Sequence, residues 1–240
     1  MSTLTVYPPA KINLSLKITG KRDDGFHELE TLVLPLPGLT DELHFEAATK
    51  FTLHCDTPGV PTNQSNLVSR ALRLFEENTG KEAPYRVTLK KRIPHGAGLG
   101  GGSSDAASTF LALNQLTGAS VPLSRLAQWA GELGSDIPLF IYESASWCRG
   151  KGEIVEPVDL TWTFPILLFK PSFSIPTPWA YSRWSNSLEI PGISYGSIKV
   201  GEIDLYNDLE RPVFEKHRFL AELKQFLLAP PETQNSMLTG

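Results

Sequence analysis

Five glycines fall within seven residues at Gly96-Ala97-Gly98-Leu99-Gly100-Gly101-Gly102, and Ser103-Ser104-Asp105 follows at once. Glycine has no Cβ, so its backbone N–H groups can approach a ligand closely. A helix N-terminus adds unpaired N–H donors and the positive end of the helix dipole. That chemistry suits a phosphate. The competing reading is a tight turn into a helix capped by Ser103, Ser104 or Asp105. A turn needs only one or two glycines, so five favour a phosphate loop.

Gly96-x-Gly98-x-x-Gly101 formally satisfies the dinucleotide fingerprint, but its setting does not. The strand before it carries Arg86, Lys90, Lys91 and Arg92, whereas a dinucleotide-binding strand is buried on both faces. No acidic residue stands about 20 residues further on to hold a ribose. Gly-x-x-x-x-Gly-Lys-Ser/Thr and His-Arg-Asp are absent, which disfavours P-loop enzymes and protein kinases. Taken alone, Asp136 in Gly134-Ser135-Asp136 reads equally as a helix N-cap and as a working carboxylate. Lys11 reads as a solvated lysine on a strand edge, Phe26 as core and His27 as an exposed turn residue. Asn66 and Leu67 read as an N-cap and a core leucine.

The 240 residues carry 22 Lys+Arg against 26 Asp+Glu, a net charge of -4, so a partner whose main feature is a nucleic-acid backbone is not expected. Cys55 and Cys148 stand far apart, which supports neither a disulfide framework nor a cysteine-rich zinc site and fits a reducing cytoplasm. His27, His44, His54, His95 and His217 show no metal-ligand spacing, and no structural metal is expected. Residues 1–16 are too polar and too interrupted by Pro8, Pro9 and Lys11 for a signal peptide. No apolar run approaches the roughly 18 residues of a membrane span.

Alternating apolar residues predict strands at Leu4 and Val6, at Ile12 to Ile18, at Leu32 to Leu36, at Leu43 and Phe45, and at Phe51 and Leu53. Turns are expected at residues 20–25, at Pro37-Gly38 and at 56–59. Helical spacing begins at Asn66, and Gly80 is placed to end that helix. Tyr85, Val87 and Leu89 predict a strand buried on one face, running into the glycine loop. The helix after the loop ends at Gly118, and another runs over about 123–133 with Gly134 as its stop. A domain boundary is expected near Asp159, dividing the chain into 1–158 and 159–240. An apolar strand is expected at 164–169. After it come a proline-rich stretch at 171–178, an aromatic cluster (Trp179, Tyr181, Trp184) and an irregular loop to Val200. Helical stretches are then expected at about 207–210 and 217–228.

Pro94-His95-Gly96-Ala97-Gly98-Leu99-Gly100-Gly101-Gly102-Ser103-Ser104 resembles the nucleotide loop of the galactokinase, homoserine kinase, mevalonate kinase and phosphomevalonate kinase superfamily, the GHMP kinases. Pro9-Ala10-Lys11-Ile12-Asn13-Leu14, Arg22-Asp23-Asp24-Gly25-Phe26-His27-Glu28-Leu29, Gly134-Ser135-Asp136-Ile137-Pro138, Arg149-Gly150-Lys151-Gly152-Glu153 and Ser174-Ile175-Pro176-Thr177 narrow the likeness. They are similar to members whose acceptor is a cytidyl diphosphate sugar alcohol, and the resemblance spans nearly the whole chain in order. Members carry a third motif, Met-x-Gly-Ser-Gly, that closes against the nucleotide loop. The chain reaches Met237-Leu238-Thr239-Gly240, its beginning, so an incomplete C-terminal domain is expected.

The resemblance implies an α+β, two-domain fold, with an N-terminal ribosomal-protein-S5-like domain and a C-terminal ferredoxin-like α/β domain. It implies ATP with Mg²⁺ as co-substrate, no tightly bound cofactor, a small-molecule acceptor, no nucleic-acid or membrane partner, and a monomer or homodimer in the cytoplasm or, after loss of a transit peptide, a plastid stroma. Asp136 would accept the acceptor's hydroxyl proton, while Lys11 would keep Asp136 ionised and offset phosphate charge. Residues Pro94, His95, Gly96, Ala97, Gly98, Leu99, Gly100, Gly101, Gly102, Ser103 and Ser104 would bind ATP, a serine hydroxyl meeting phosphate or metal, with Asn66 and Leu67 near the adenine. Phe26, His27 and Tyr181 would take the cytosine, Trp179 competing with Tyr181, and Asn13 and Thr177 would face the sugar-alcohol end. The implied alternatives are a homoserine or mevalonate-type kinase, or a nucleotide-binding relative without turnover.

Overall fold

The computed structural model describes residues 3–160 and 165–239. A first sheet is built from β1 (Thr3–Val6), β4 (Glu42–Ala47), β5 (Thr52–Cys55) and β6 (Tyr85–Lys90), in the order β1-β4-β6-β5. Its apolar residues Leu43, Phe45, Leu53, Val87 and Leu89 are buried against three helices, α1 (Leu67–Thr79), α2 (Gly101–Leu116) and α3 (Leu123–Leu133). Alternation explains the burial, since successive strand side chains point to opposite faces and only one face meets the helices. Asn66 caps α1 by accepting from Val68 N at 2.8 Å, and Gly80, at φ +66°, ends it.

The second sheet carries the long hairpin β2 (Pro9–Lys21) and β3 (His27–Thr40), flanked by β7 (Ser146–Gly150), β8 (Ile154–Pro157), β9 (Ile198–Val200) and β10 (Ile203–Asn207). The order is β8-β7-β3-β2-β10-β9, so β10 lies parallel to β2, with Tyr206 opposite Ser15 and Asn207 opposite Leu16. The short helix α4 (Ile137–Ile141) precedes β7, and α5 (Thr177–Arg183), α6 (Glu210–Lys216) and α7 (Arg218–Leu228) complete the α+β architecture. Ala180, Val213, Phe214 and Ala221 from these last helices pack with Leu16 and Ile18 of β2 in one apolar cluster.

Several expectations change. Pro37-Gly38 is no turn but lies inside β3, in a register break where Ala10 pairs with Leu36 and Pro9 with Thr40. A proline has no N–H for the ladder, so the strand bulges past it instead of reversing. The strand expected at 164–169 does not form over its described part, 165–169, while residue 164 lies outside the described residues. Residues 149–153 contribute to a hairpin between β7 and β8. The loop expected to run to Val200 ends in β9, and Asn207 closes β10 instead of opening a helix.

The turn-and-cap reading of the glycine segment fails for a related reason. Gly100, at φ +71°, is the N-cap of α2, and Gly101 and Gly102 are already helical. Ser104 and Asp105 lie one turn in and are buried, and Ser103 is half-buried. The small residues Ala106, Ala107 and Ala112 let α2 be enclosed on nearly every side.

Candidate active site

Gly100 is where the parts of the site meet. A Cβ built there would lie 2.7 Å from Cζ of Phe140 on α4 and 3.1 Å from Cγ of Lys11 on β2, so only glycine allows the approach. Gly96 and Gly98 also adopt left-handed φ, +66° and +70°. Lys11 N donates to Leu99 O at 3.0 Å and stitches the loop to β2. Leu99 is buried beneath the loop, whereas His95, Gly96, Gly98 and Gly102 are exposed and Pro94 and Ala97 are half-buried. Together residues 94–102 form a shallow concavity of backbone with Lys91 and Ile93 at its floor.

Lys11 is buried, and its Nζ donates to Asn13 Oδ1 at 2.6 Å; Asn13 Nδ2 donates in turn to Thr31 Oγ1 at 2.7 Å. Burial holds the Lys11 ammonium below its ordinary pKa, and the charge of Asp136 opposes that shift. No ion pair joins Lys11 to Asp136. Asp136 stands at the N-cap position of α4, but its side chain makes no capping bond and the residue is exposed. The Asp136 charge also reaches Cys148, whose thiol burial pushes up to about 12, and Tyr181, whose hydroxyl burial raises as well. Gly152, at φ +114° in the β7–β8 turn, leaves a Cβ position 3.5 Å from Asp136 Oδ1. The structure therefore sets the buried Lys11 amine against the glycine loop and within reach of the charge of Asp136, whose carboxylate makes no capping bond.

A second group forms at the turn end of the β2–β3 hairpin. His27 stacks on Tyr181 with ring centroids 5.4 Å apart and meets Trp184 edge-on at 6.1 Å. Phe26 is exposed beneath Lys151 Nζ, 5.1 Å from its ring. Burial lowers the pKa of His27, with Lys21 adding to it. Trp179 is engaged elsewhere, its ring 4.2 Å from Lys216 Nζ, whereas Tyr181 stacks on His27. Thr177 is exposed at the start of α5. Asn66 has both ends of its amide occupied, by Val68 N and by Pro61 O, and Leu67 reaches within 3.7 Å of the Gly102 Cβ position at the loop's edge.

Sequence reasoning missed the floor of the loop. Lys91, read there as part of a charged face, turns inward instead: its side chain is 9% exposed, and its Nζ donates to Asp41 and, at 2.7 Å, to Asp105 Oδ2. The signal was present, because Lys91 continues the inward phase of Tyr85, Val87 and Leu89, and Asp41 precedes Leu43 and Phe45 in theirs. Burial raises Asp105 to about 7 against the pull of Lys91.

A glycine-rich loop opening a buried helix, with the long hairpin packed against it, is the arrangement of the GHMP kinase fold, and the profile described as GHMP kinases N terminal domain matches residues 66–144. A 4-diphosphocytidyl-2-C-methyl-D-erythritol kinase from Protochlamydia amoebophila is 42% identical over 230 residues, covering 95% of this chain and 79% of the relative. The chloroplastic enzyme of that name from Mentha piperita is 40% identical, and the chain spans 98% of itself but 60% of that relative's length. A solved 4-(cytidine 5'-diphospho)-2C-methyl-D-erythritol kinase superposes with a TM-score of 0.75 at 37% identity, covering 94% of this chain and 83% of the other. The chain belongs to the 4-diphosphocytidyl-2-C-methyl-D-erythritol kinase family. A homoserine kinase from Cytophaga hutchinsonii, at 19% identity and a TM-score of 0.53, shares the fold.

Proposed function

We propose that the protein transfers the γ-phosphoryl group of ATP to the 2-hydroxyl of 4-diphosphocytidyl-2-C-methyl-D-erythritol, giving the 2-phosphate and ADP in non-mevalonate isoprenoid biosynthesis. The observation that carries this reading is the meeting of the glycine loop, Lys11 and the Asp136-bearing helix α4 at Gly100, in a chain of this family. Phosphoryl transfer asks for an acceptor oxygen in line with the γ-phosphate and for positive charge and N–H donors around it. Backbone N–H groups between His95 and Ser103 supply the donors. The substrate oxygen bonds to phosphorus as the bond from the γ-phosphorus to the β-bridging oxygen breaks, ADP leaves, and Asp136 takes the hydroxyl proton. Lys11, oriented by Asn13, offsets the charge on the transferring group.

Mg²⁺ arrives on ATP with most of its waters and adds positive charge to the phosphates. Ser103 is the hydroxyl available to that complex, because Ser104 is wholly buried with its Oγ unpaired inside α2. Asn66 and Leu67 border the adenine end, with Leu67 the contacting side chain. Cytosine lies between the exposed face of Phe26 and the His27–Tyr181 stack, while Asn13 and Thr177 face the methylerythritol end. Residues 1–158 and 159–240 form the two domains. Among the described residues no helix is long and apolar enough to cross a membrane.

ADP release measured with ATP and Mg²⁺, with and without the cytidyl substrate, tests the reading. Release that depends on that substrate is expected; release that depends instead on homoserine or mevalonate would overturn it.

A further inference from the structure

The glycine loop has two ends, and both rest on the ammonium group of Lys91. At the entry, Asp41 accepts from Arg92 N at 2.5 Å and Ile93 N at 2.9 Å while also holding Lys91 Nζ, so the chain leaving β6 is pinned just before Pro94. Asp41 N donates to Pro8 O at 2.9 Å, which ties the same point to the start of β2. At the exit, Asp105 on the second turn of α2 accepts from Lys91 Nζ at 2.7 Å. A Cβ on Gly101 would lie 3.1 Å from that nitrogen, so the ammonium sits directly under the first turn of α2. Side-chain exposures of 9%, 0% and 4% for Lys91, Asp41 and Asp105 exclude solvent from the contacts.

We propose that Lys91 is a positioning residue for the nucleotide loop, setting the distance between its entry at Ile93 and its exit at Gly101 by bridging Asp41 and Asp105. The proposal rests on the reading of residues 94–104 as the ATP site. Between the two pinned ends the loop passes through three left-handed glycines, Gly96, Gly98 and Gly100, whose backbones have no side chains to hold them. The direction of their N–H groups is therefore set by where the ends are fixed. Lys91 lines the concavity, and two of its three N–H donors go to the two carboxylates, through which it acts on the loop. Charge-assisted bonds of this kind are short and directional, and in a buried setting they hold geometry well.

Asp105 is the informative position. Removing it leaves Lys91 and Asp41 as a balanced buried pair, whereas removing Lys91 would strand two carboxylates. Asp105→Asn keeps a carbonyl oxygen that can accept from Lys91, and Asp105→Leu keeps only the volume. Hydrogen exchange across the whole chain and Michaelis constants for both substrates are to be measured on wild type, Asp105→Asn and Asp105→Leu.

In Asp105→Leu, amides 94–104 should exchange about tenfold faster with the β2–β3 hairpin unchanged, and KM for ATP should rise about tenfold while KM for the cytidyl substrate holds. Asp105→Asn should return both toward wild type. Exchange unchanged at the loop, exchange raised evenly over the chain, or an asparagine variant no better than leucine would each overturn the proposal. A wild-type protein that turns over no ATP would refute the kinase reading alone, because the exchange comparison still decides whether Lys91 positions the loop.

Discussion

Replacing Gly100 by alanine would put a methyl group 2.7 Å from Cζ of the buried Phe140 and 3.1 Å from Cγ of Lys11, at a residue whose φ is +71°. The left-handed conformation costs an L-residue about 1–2 kcal/mol. Overpacking a filled core adds about 1–3 kcal/mol, because Phe140 is enclosed and cannot swing away. Together these predict a loss of about 2–5 kcal/mol, which for a chain of this size is a fall of about 5–15 °C in Tm. The displaced Lys11 stem should also lower kcat, by about a hundredfold if its ammonium moves by an ångström. Gly102→Ala is the matched comparison. Its Cβ would meet only Leu67 Cδ1, at 3.7 Å, and the position is already helical, so Tm should hold or rise slightly. Its methyl would stand on the exposed first turn where phosphates approach, so affinity for ATP should fall. Thermal melts and ATP titrations of both variants decide the matter. Were Gly100→Ala to melt with wild type at full kcat, the contact of loop, Lys11 and α4 at this residue would carry none of the site's geometry.

Asp136→Ala should lower kcat by at least about a hundredfold with ATP binding retained, since the side chain serves neither as a cap nor in an ion pair; equal loss of both would count against it as the base. His27→Ala should raise KM for the cytidyl substrate about fivefold or more and leave ATP unaffected, because it removes half of the stack with Tyr181; uniform weakening would make the histidine structural. Folded Asp105 keeps its proton up to about pH 7 where the unfolded chain releases it near 3.8, so its contribution to stability is full below pH 4 and is lost as pH rises through 7. Between pH 5 and 8 the wild type should lose about 3 kcal/mol of stability that Asp105→Asn does not, as read by urea denaturation at each pH. Parallel stability curves for the two proteins would refute the assignment.

Local rules reached furthest where the physics is local. Asn66 and Gly80 bound α1 in the sequence and in the structure, because capping depends on a few neighbouring backbone groups. The turn expected at residues 20–25, which the structure narrows to 23–25 because Gly20 and Lys21 continue β2, and the one-sided burial of β6 were legible for the same reason. The short strands late in the chain did not show. β9 and β10 have three and five residues, and they form because β2 offers Ser15 and Leu16 as a parallel edge to β10, which β9 then joins. Pro37-Gly38 carries a strong turn signal that the long pairing of β2 with β3 overrides.

The glycine loop and its suitability for phosphate were determined by residue type alone, since five glycines leave backbone N–H groups free to approach an anion whatever surrounds them. Lys11 and Asp136, in contrast, read from their neighbours as a solvated lysine and a helix cap. Only the tertiary structure decided that Lys11 is buried against the loop, that Asp136 leaves its cap unused, and that Lys91 ties Asp41 to Asp105. Those roles depend on contacts between β2, β4, β6, α2 and α4. Burial and charge act through distance in space, which the spacing of residues along the chain does not record.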